Sequence, residues 1–132
     1  MVPLELATIG AMPAPAVIQI FGTPNDRPTR AAQRFFKERR VAISFVDLRR
    51  KPMAPGELHR FVDRLGARAL ADMDGRAWRE AALGYLSMDD AELADRLLAD
   101  QRLLRLPLIR AGNALSVGPD EEAWTRMIAG SG

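Results

Sequence analysis

The residues that could do chemistry gather in one stretch, "IQIFGTPNDRPTR", running from Ile18 to Arg30. A β-rich apolar run ends at Gly22, a turn of Thr23, Pro24 and Asn25 follows, and Asp26 stands where a helix would open. Such a strand–turn–helix aims main-chain N–H groups and the positive end of the helix dipole at whatever occupies the turn. A cysteine there would be an activated thiolate. This chain has no cysteine at all, which excludes thiolate catalysis, disulfides and zinc–cysteine sites. Its single histidine, His59, rules out a multi-histidine metal site and argues against a Ser–His mechanism. Asp26 reads first as a helix N-cap, worth about 1 kcal/mol. A ligand contact or an aspartyl nucleophile are the alternatives, the latter without a visible acid–base partner. Arg27 and Arg30 flank the turn; in a helix they share a face and can meet an acidic partner.

The elements that must position this turn follow from periodicity. Ala16–Phe21 and Ala42–Asp47 read as strands, and between them a helix from Asp26 to Arg39 or Arg40 buries Ala32, Phe35 and Phe36. That is a βαβ unit with parallel strands. Leu58, Phe61, Val62 and Leu65 recur at helical spacing and the helix stops at Gly66. A less regular stretch punctuated by Gly75 and Gly84 leads to a helix capped by Ser87, with Asp89 and Asp90 in its first turn. Leu106–Arg110 and Ala114–Val117 form a hairpin, and Asp120 to Glu122 open a last helix bearing Trp124, Met127 and Ile128. The order βαβ, helical insert at about 54–102, then ββα specifies an α/β, thioredoxin-like (glutaredoxin-like) fold with a mixed four-stranded sheet.

The 132 residues suit one domain, 16–132, after a loose leader at 1–15 bracketed by Pro3, Pro13 and Pro15. No apolar run approaches a membrane span and no basic n-region marks a secretory signal, so a cytoplasmic location is expected. Nineteen basic residues face seventeen acidic ones. Only Arg39-Arg40 and Arg49-Arg50-Lys51 cluster, so nucleic acid is not indicated. His59 falls on the polar side of its helix, and Asp47 and Arg49 read as end-of-strand charges.

Four segments in order give the chain a resemblance. "IFGTPNDRPTRAA", "FVDLRRKPMAPGELHRFVDRLG", "DGRAWRE" and "RLLRLPLIRAGNALSVGPDEEAW" resemble the arsenate reductase (ArsC)/Spx-like branch of thioredoxin-fold proteins, over about Ala16 to Met127. The resemblance implies a nucleophilic cysteine after Asn25, where this chain has Asp26. It implies a cis-proline at Pro107, often preceded by an oxyanion-binding arginine, where this chain has Leu106. Arg105 stands one residue earlier, which in a strand would turn it to the opposite face. Trp78, in the family-like Gly-x-x-Trp-Arg segment, reads as packing for the insert.

The ligand-binding candidates are therefore Thr23, Pro24, Asn25, Asp26, Arg27, Arg30, Arg105 and Pro107, with no catalytic residue and no metal. The reading is a non-catalytic binding or regulatory protein, with a protein partner such as the RNA polymerase that Spx-like members contact. The alternative is an ArsC-like or glutathione-dependent oxidoreductase or transferase that retains activity without its own thiol; Tyr85, a residue type that can activate glutathione, falls in the insert. No resident cofactor is expected and glutathione is the small molecule considered. A scaffold subunit, and the nitrogenase-associated proteins that also look similar, stay open.

Overall fold

The computed structural model describes residues 17–81, 83 and 87–130. The leader at 1–15 and Tyr85 lie outside them. Strand β1 (Ile18–Gly22) leads into helix α1 (Arg27–Glu38), and β2 (Ile43–Asp47) follows. Helices α2 (Pro55–Leu65), α3 (Ala67–Leu70), α4 (Arg76–Glu80) and α5 (Asp90–Ala99) and a 3-10 turn (Gln101–Leu103) come next. Strands β3 (Leu108–Ala111) and β4 (Ala114–Val117) and helix α6 (Glu121–Ala129) close the chain. The sheet order is β2-β1-β3-β4. β1 runs parallel to β2, with Ile18 opposite Ile43, and antiparallel to β3, with Ile20 opposite Ile109. This is the mixed four-stranded, thioredoxin-like sheet that the sequence specifies. No helix among the described residues is long and apolar enough to cross a membrane.

Strand alternation divides the core into two layers. Ile18, Ile20, Ile109 and Ala111 face α1 and α6, where Phe35, Phe36 and Trp124 pack edge-on or tilted with ring centroids 5.3–6.1 Å apart. Phe21, Leu48 and Leu108 face the helical insert, where Phe61 meets Phe21 at 6.2 Å and Trp78 is buried among the insert's apolar side chains. His59 is exposed.

β1 runs one residue further than expected, to Gly22, and β2 starts one later, at Ile43; three other boundaries move for identifiable reasons. Helix α5 begins at Asp90, not at Ser87, because Asp89 and Glu92 form a reciprocal capping box that satisfies two orphan donors at once. β3 begins at Leu108, since Pro107 has no N–H to give the ladder; the Leu106–Pro107 peptide bond is cis. α1 ends at Glu38, one or two residues before the expected Arg39 or Arg40, in a Schellman motif: Arg40 N–H bonds Lys37 O and Val41 N–H bonds Phe36 O.

The C′ position of that motif calls for a left-handed residue, usually glycine, yet Arg40 holds it at φ 58°. Arg40→Gly is expected to stabilise the fold by about 0.5–1 kcal/mol, as relief of Cβ crowding outweighs the extra chain entropy. Chemical denaturation with an unchanged m-value checks this.

Candidate functional site

The turn between β1 and α1 is built around Thr29, which is fully buried in the first turn of the helix. Asp26 caps the helix with extended backbone, and one carboxylate oxygen takes two hydrogen bonds. Thr29 N–H donates to Oδ2 over 3.0 Å and Thr29 Oγ1 donates to the same oxygen over 2.7 Å. Gly22 makes room for this arrangement, because a Cβ there would overlap the Thr29 hydroxyl and lie 2.7 Å from its methyl carbon. The aromatic-Gly pair in the motif thus seats the cap.

The same bonds empty the turn of donors. Asp26 N–H bonds Thr23 O, Pro28 has no N–H, Thr29 N–H is held by the Asp26 side chain, and Arg30 N–H bonds Asp26 O. Of residues 26–30, Arg27 alone keeps a main-chain N–H without a partner among the described residues. An oxyanion needs several converging N–H groups at a helix N-terminus. This one has filled its own anion site with a carboxylate.

A notch of about 270 Å³ opens over Asp26, lined also by Pro28, Asp72, Asp74, Arg105, Leu106 and Pro119. Three aspartates and one arginine therefore line this notch, and the net negative charge works against an anion entering it. These carboxylates do not form a group that could hold a metal ion. Arg105 lies here and not on the far side. Residues 105–106 precede β3, so strand alternation does not apply to them, and both side chains line the notch. Gly118, at φ 70°, leaves space for the Arg105 stem, since a Cβ would come 2.9 Å from Arg105 Cδ.

Leu106 also forms the wall of a second concavity, a groove of about 480 Å³ that takes in Thr23, Leu48, Pro52, Leu98 and Ala99. Its lining includes Arg49, Asp100 and Arg102, which belong to two copies of one device. In each Asp-x-Arg turn the aspartate accepts from the main-chain N–H and the guanidinium of the arginine two residues on: Asp47 with Arg49 at 3.0–3.2 Å, and Asp100 with Arg102 at 2.7–3.1 Å. The arginine hydrogen bonds hold both carboxyls below the usual aspartate range. Between the two turns the Gln101 amide clips both main-chain groups of Met53, donating to its carbonyl over 2.9 Å and accepting from its N–H over 2.7 Å.

Of the eight candidates, Asp26 and Arg105 share the notch and Thr23 lines the groove. Pro107 is buried, and its carbonyl accepts from Gly118 N–H over 2.9 Å. Pro24 and Asn25 are exposed on the turn, and Arg27 and Arg30 point outward from α1, lining neither cavity. Asp72, Asp74, Asp100, Gln101 and Arg102 were not singled out. The repeated Asp-x-Arg spacing was the readable signal for Asp100 and Arg102, whereas the Met53 clip spans 48 residues and leaves no local trace.

Asp26→Ala is expected to cost about 2 kcal/mol, the lost cap plus a buried Thr29 hydroxyl left without its acceptor. Asp26→Ser, which keeps an acceptor, should cost less than half of that in denaturant titrations. For the Asp-x-Arg turns the sign runs with acid. Because both carboxyls are depressed in the fold, their contribution is present above the unfolded value near pH 4 and fades as pH falls below it. Carboxyl-detected NMR titration should find both groups ionised below that range, and Arg49→Gln should return Asp47 alone to it.

The pattern of the ArsC family matches residues 21–127. No curated protein matches the sequence. Among solved structures the chain is similar to the YffB (PA3664) protein, at 20% identity and TM-score 0.76, covering 85% of this chain and 99% of that one. An ArsC-family related protein from Bacteroides fragilis follows at 16% identity and TM-score 0.77, covering 86% and 99%. An arsenate reductase from Vibrio cholerae has 18% identity and TM-score 0.72, covering 85% and 98%. At these identities the likeness speaks to the fold alone. The match over residues 21–127, on a sheet and turn of the same order, makes this chain a member of the ArsC family, one without a cysteine.

Proposed function

We propose that this chain is a non-catalytic binding or regulatory protein that keeps the ArsC scaffold. The observation that carries the reading is the occupied helix N-terminus. Asp26 spends its carboxylate on Thr29, the N–H groups of residues 26–30 other than that of Arg27 are absent or engaged, and Asp72 and Asp74 line the same notch. Reduction of arsenate or a disulfide on such a frame requires a thiolate to attack and donors to hold the developing anion. Asp26 supplies neither softness nor free donors. A contact role, of which the RNA-polymerase binding of Spx-like chains is the family's example, needs only a stable surface.

A second reading is a glutathione-dependent oxidoreductase or transferase that uses the ligand's own sulfur. The groove beside Leu106 favours it, lined by apolar side chains together with Arg49 and Arg102. Those guanidiniums are already engaged by Asp47 and Asp100, which weakens their pull on a second carboxylate.

The purified chain is expected to show no turnover above blank with arsenate or a model disulfide, in the presence of glutathione or thioredoxin. Turnover that disappears in Asp26→Ala would overturn the binding reading. Calorimetry with millimolar glutathione should give no saturable heat, and a saturable isotherm abolished by Leu106→Trp would move the assignment to the second reading.

A further inference from the structure

The outward face of α1 carries a row of cations that the linear sequence disguises. Arg27, Arg30, Arg34 and Lys37 are spaced three, four and three residues apart. On a helix these positions fall within about 80° of one another and span about 15 Å. All four are exposed. None joins an ion pair or a side-chain hydrogen bond among the described residues, where six ion pairs are formed by other arginines. Arg39, next along, is diverted: its guanidinium sits 3.6 Å from the Phe35 ring centre and donates to Phe35 O over 3.0 Å.

The charge is concentrated there. Arg27–Arg40 holds six of the nineteen basic residues and one of the seventeen acidic ones, so the rest of the chain is net acidic. Neighbouring like charges at i,i+3 and i,i+4 disfavour a helix. The row therefore works against the element that carries it, and an outside anion would relieve that repulsion.

We infer that this row is a docking surface for an acidic helix of a protein partner. The inference rests on the contact-protein reading and names the partner's chemistry. Carboxylates spaced i, i+3 and i+4 on a helix repeat with the same 3.6-residue period as the row, and arginine pairs with carboxylate through two parallel hydrogen bonds. A single nucleic-acid strand would want exposed aromatic platforms. The exposed large apolar residues among those described are Val17 and Met73, and neither is aromatic. A duplex would want a wider basic footprint than four side chains on one helix.

The test uses the full chain and a fluorescent twenty-residue helical peptide with glutamates at i, i+3, i+4 and i+7. A scrambled peptide of equal composition and a twenty-base-pair DNA duplex serve as competing probes. The patterned peptide should bind more tightly than the scrambled one, with affinity falling as salt rises. Arg30→Gln/Arg34→Gln/Lys37→Gln should weaken it about tenfold, and Arg50→Gln/Lys51→Gln less than twofold. Circular dichroism should find the triple variant folded, with an equal or higher melting temperature. Absence of peptide binding, equal loss in both variants, or tighter duplex binding through the same three residues overturns the assignment. Self-association lost in the triple variant overturns it too, giving the face to a second copy. Reductase turnover, measured separately, tests the contact-protein reading: turnover with intact peptide docking would sink that reading and leave this surface standing.

Discussion

The carboxylate of Asp26 on the N–H and hydroxyl of Thr29 is the interaction from which the rest of the molecule takes its meaning. It starts α1, fixes the end of β1 against it through the close approach at Gly22, and determines what the turn can bind. A thiolate at the same place would leave the first-turn donors to a substrate. A carboxylate consumes them. One side chain thus exchanges an outward-facing anion site for an inward-facing cap, and no other part of the sheet has to change.

The surroundings agree with that exchange. In a thiol site the charge near the nucleophile would be positive, since it must hold a thiolate and an incoming oxyanion. Here Asp72 and Asp74 line the notch with Asp26, and Leu106 stands before the cis-proline. Arg105 is the one cation left at the notch, its stem packed along Gly118. Elsewhere the scaffold is held by features indifferent to redox chemistry. Glu57 of α2 reaches Arg110 of β3 at 3.3 Å, Gln101 clips Met53, and Phe35, Phe36 and Trp124 fill the layer under α1.

Much of this was legible from residue order. The βαβ and ββα units, the helical insert, the Asp26 cap and the buried faces of α1 and α2 all rest on local periodicity and cap chemistry, which act over a few residues. Ser87 and Asp89 are both good N-cap residues by type, and the partner Glu92 decides for Asp89. Arg105 was turned to the wrong side because alternation was extended past the start of β3, to where Pro107 breaks the ladder. The approach of Asp72 and Asp74 to Asp26 joins residues more than 40 apart and leaves no periodic mark. The cationic row is half legible: Arg27 and Arg30 share a helix face by their spacing, and Arg34 and Lys37 extend it because a helix gathers charges three and four apart.

Those two charge features sit on one helix and point the same way. At its N-terminus α1 keeps only the Arg27 N–H open among residues 26–30, too few donors to hold a small anion in a recess. Along its side it presents four cations, without an ion-pair partner among the described residues, that would attract a larger, patterned anion to a surface. A recess suits chemistry because it excludes water and strengthens each field acting on a reacting atom. A solvated row gives recognition and rate of encounter but little reaction, since its charges are screened and mobile. With the ArsC fold intact and the recess made acidic, the residues left facing an anionic partner are those of an exposed helix face. For that reason the surface of α1, more than the turn that opens it, is where contact by this protein is to be sought.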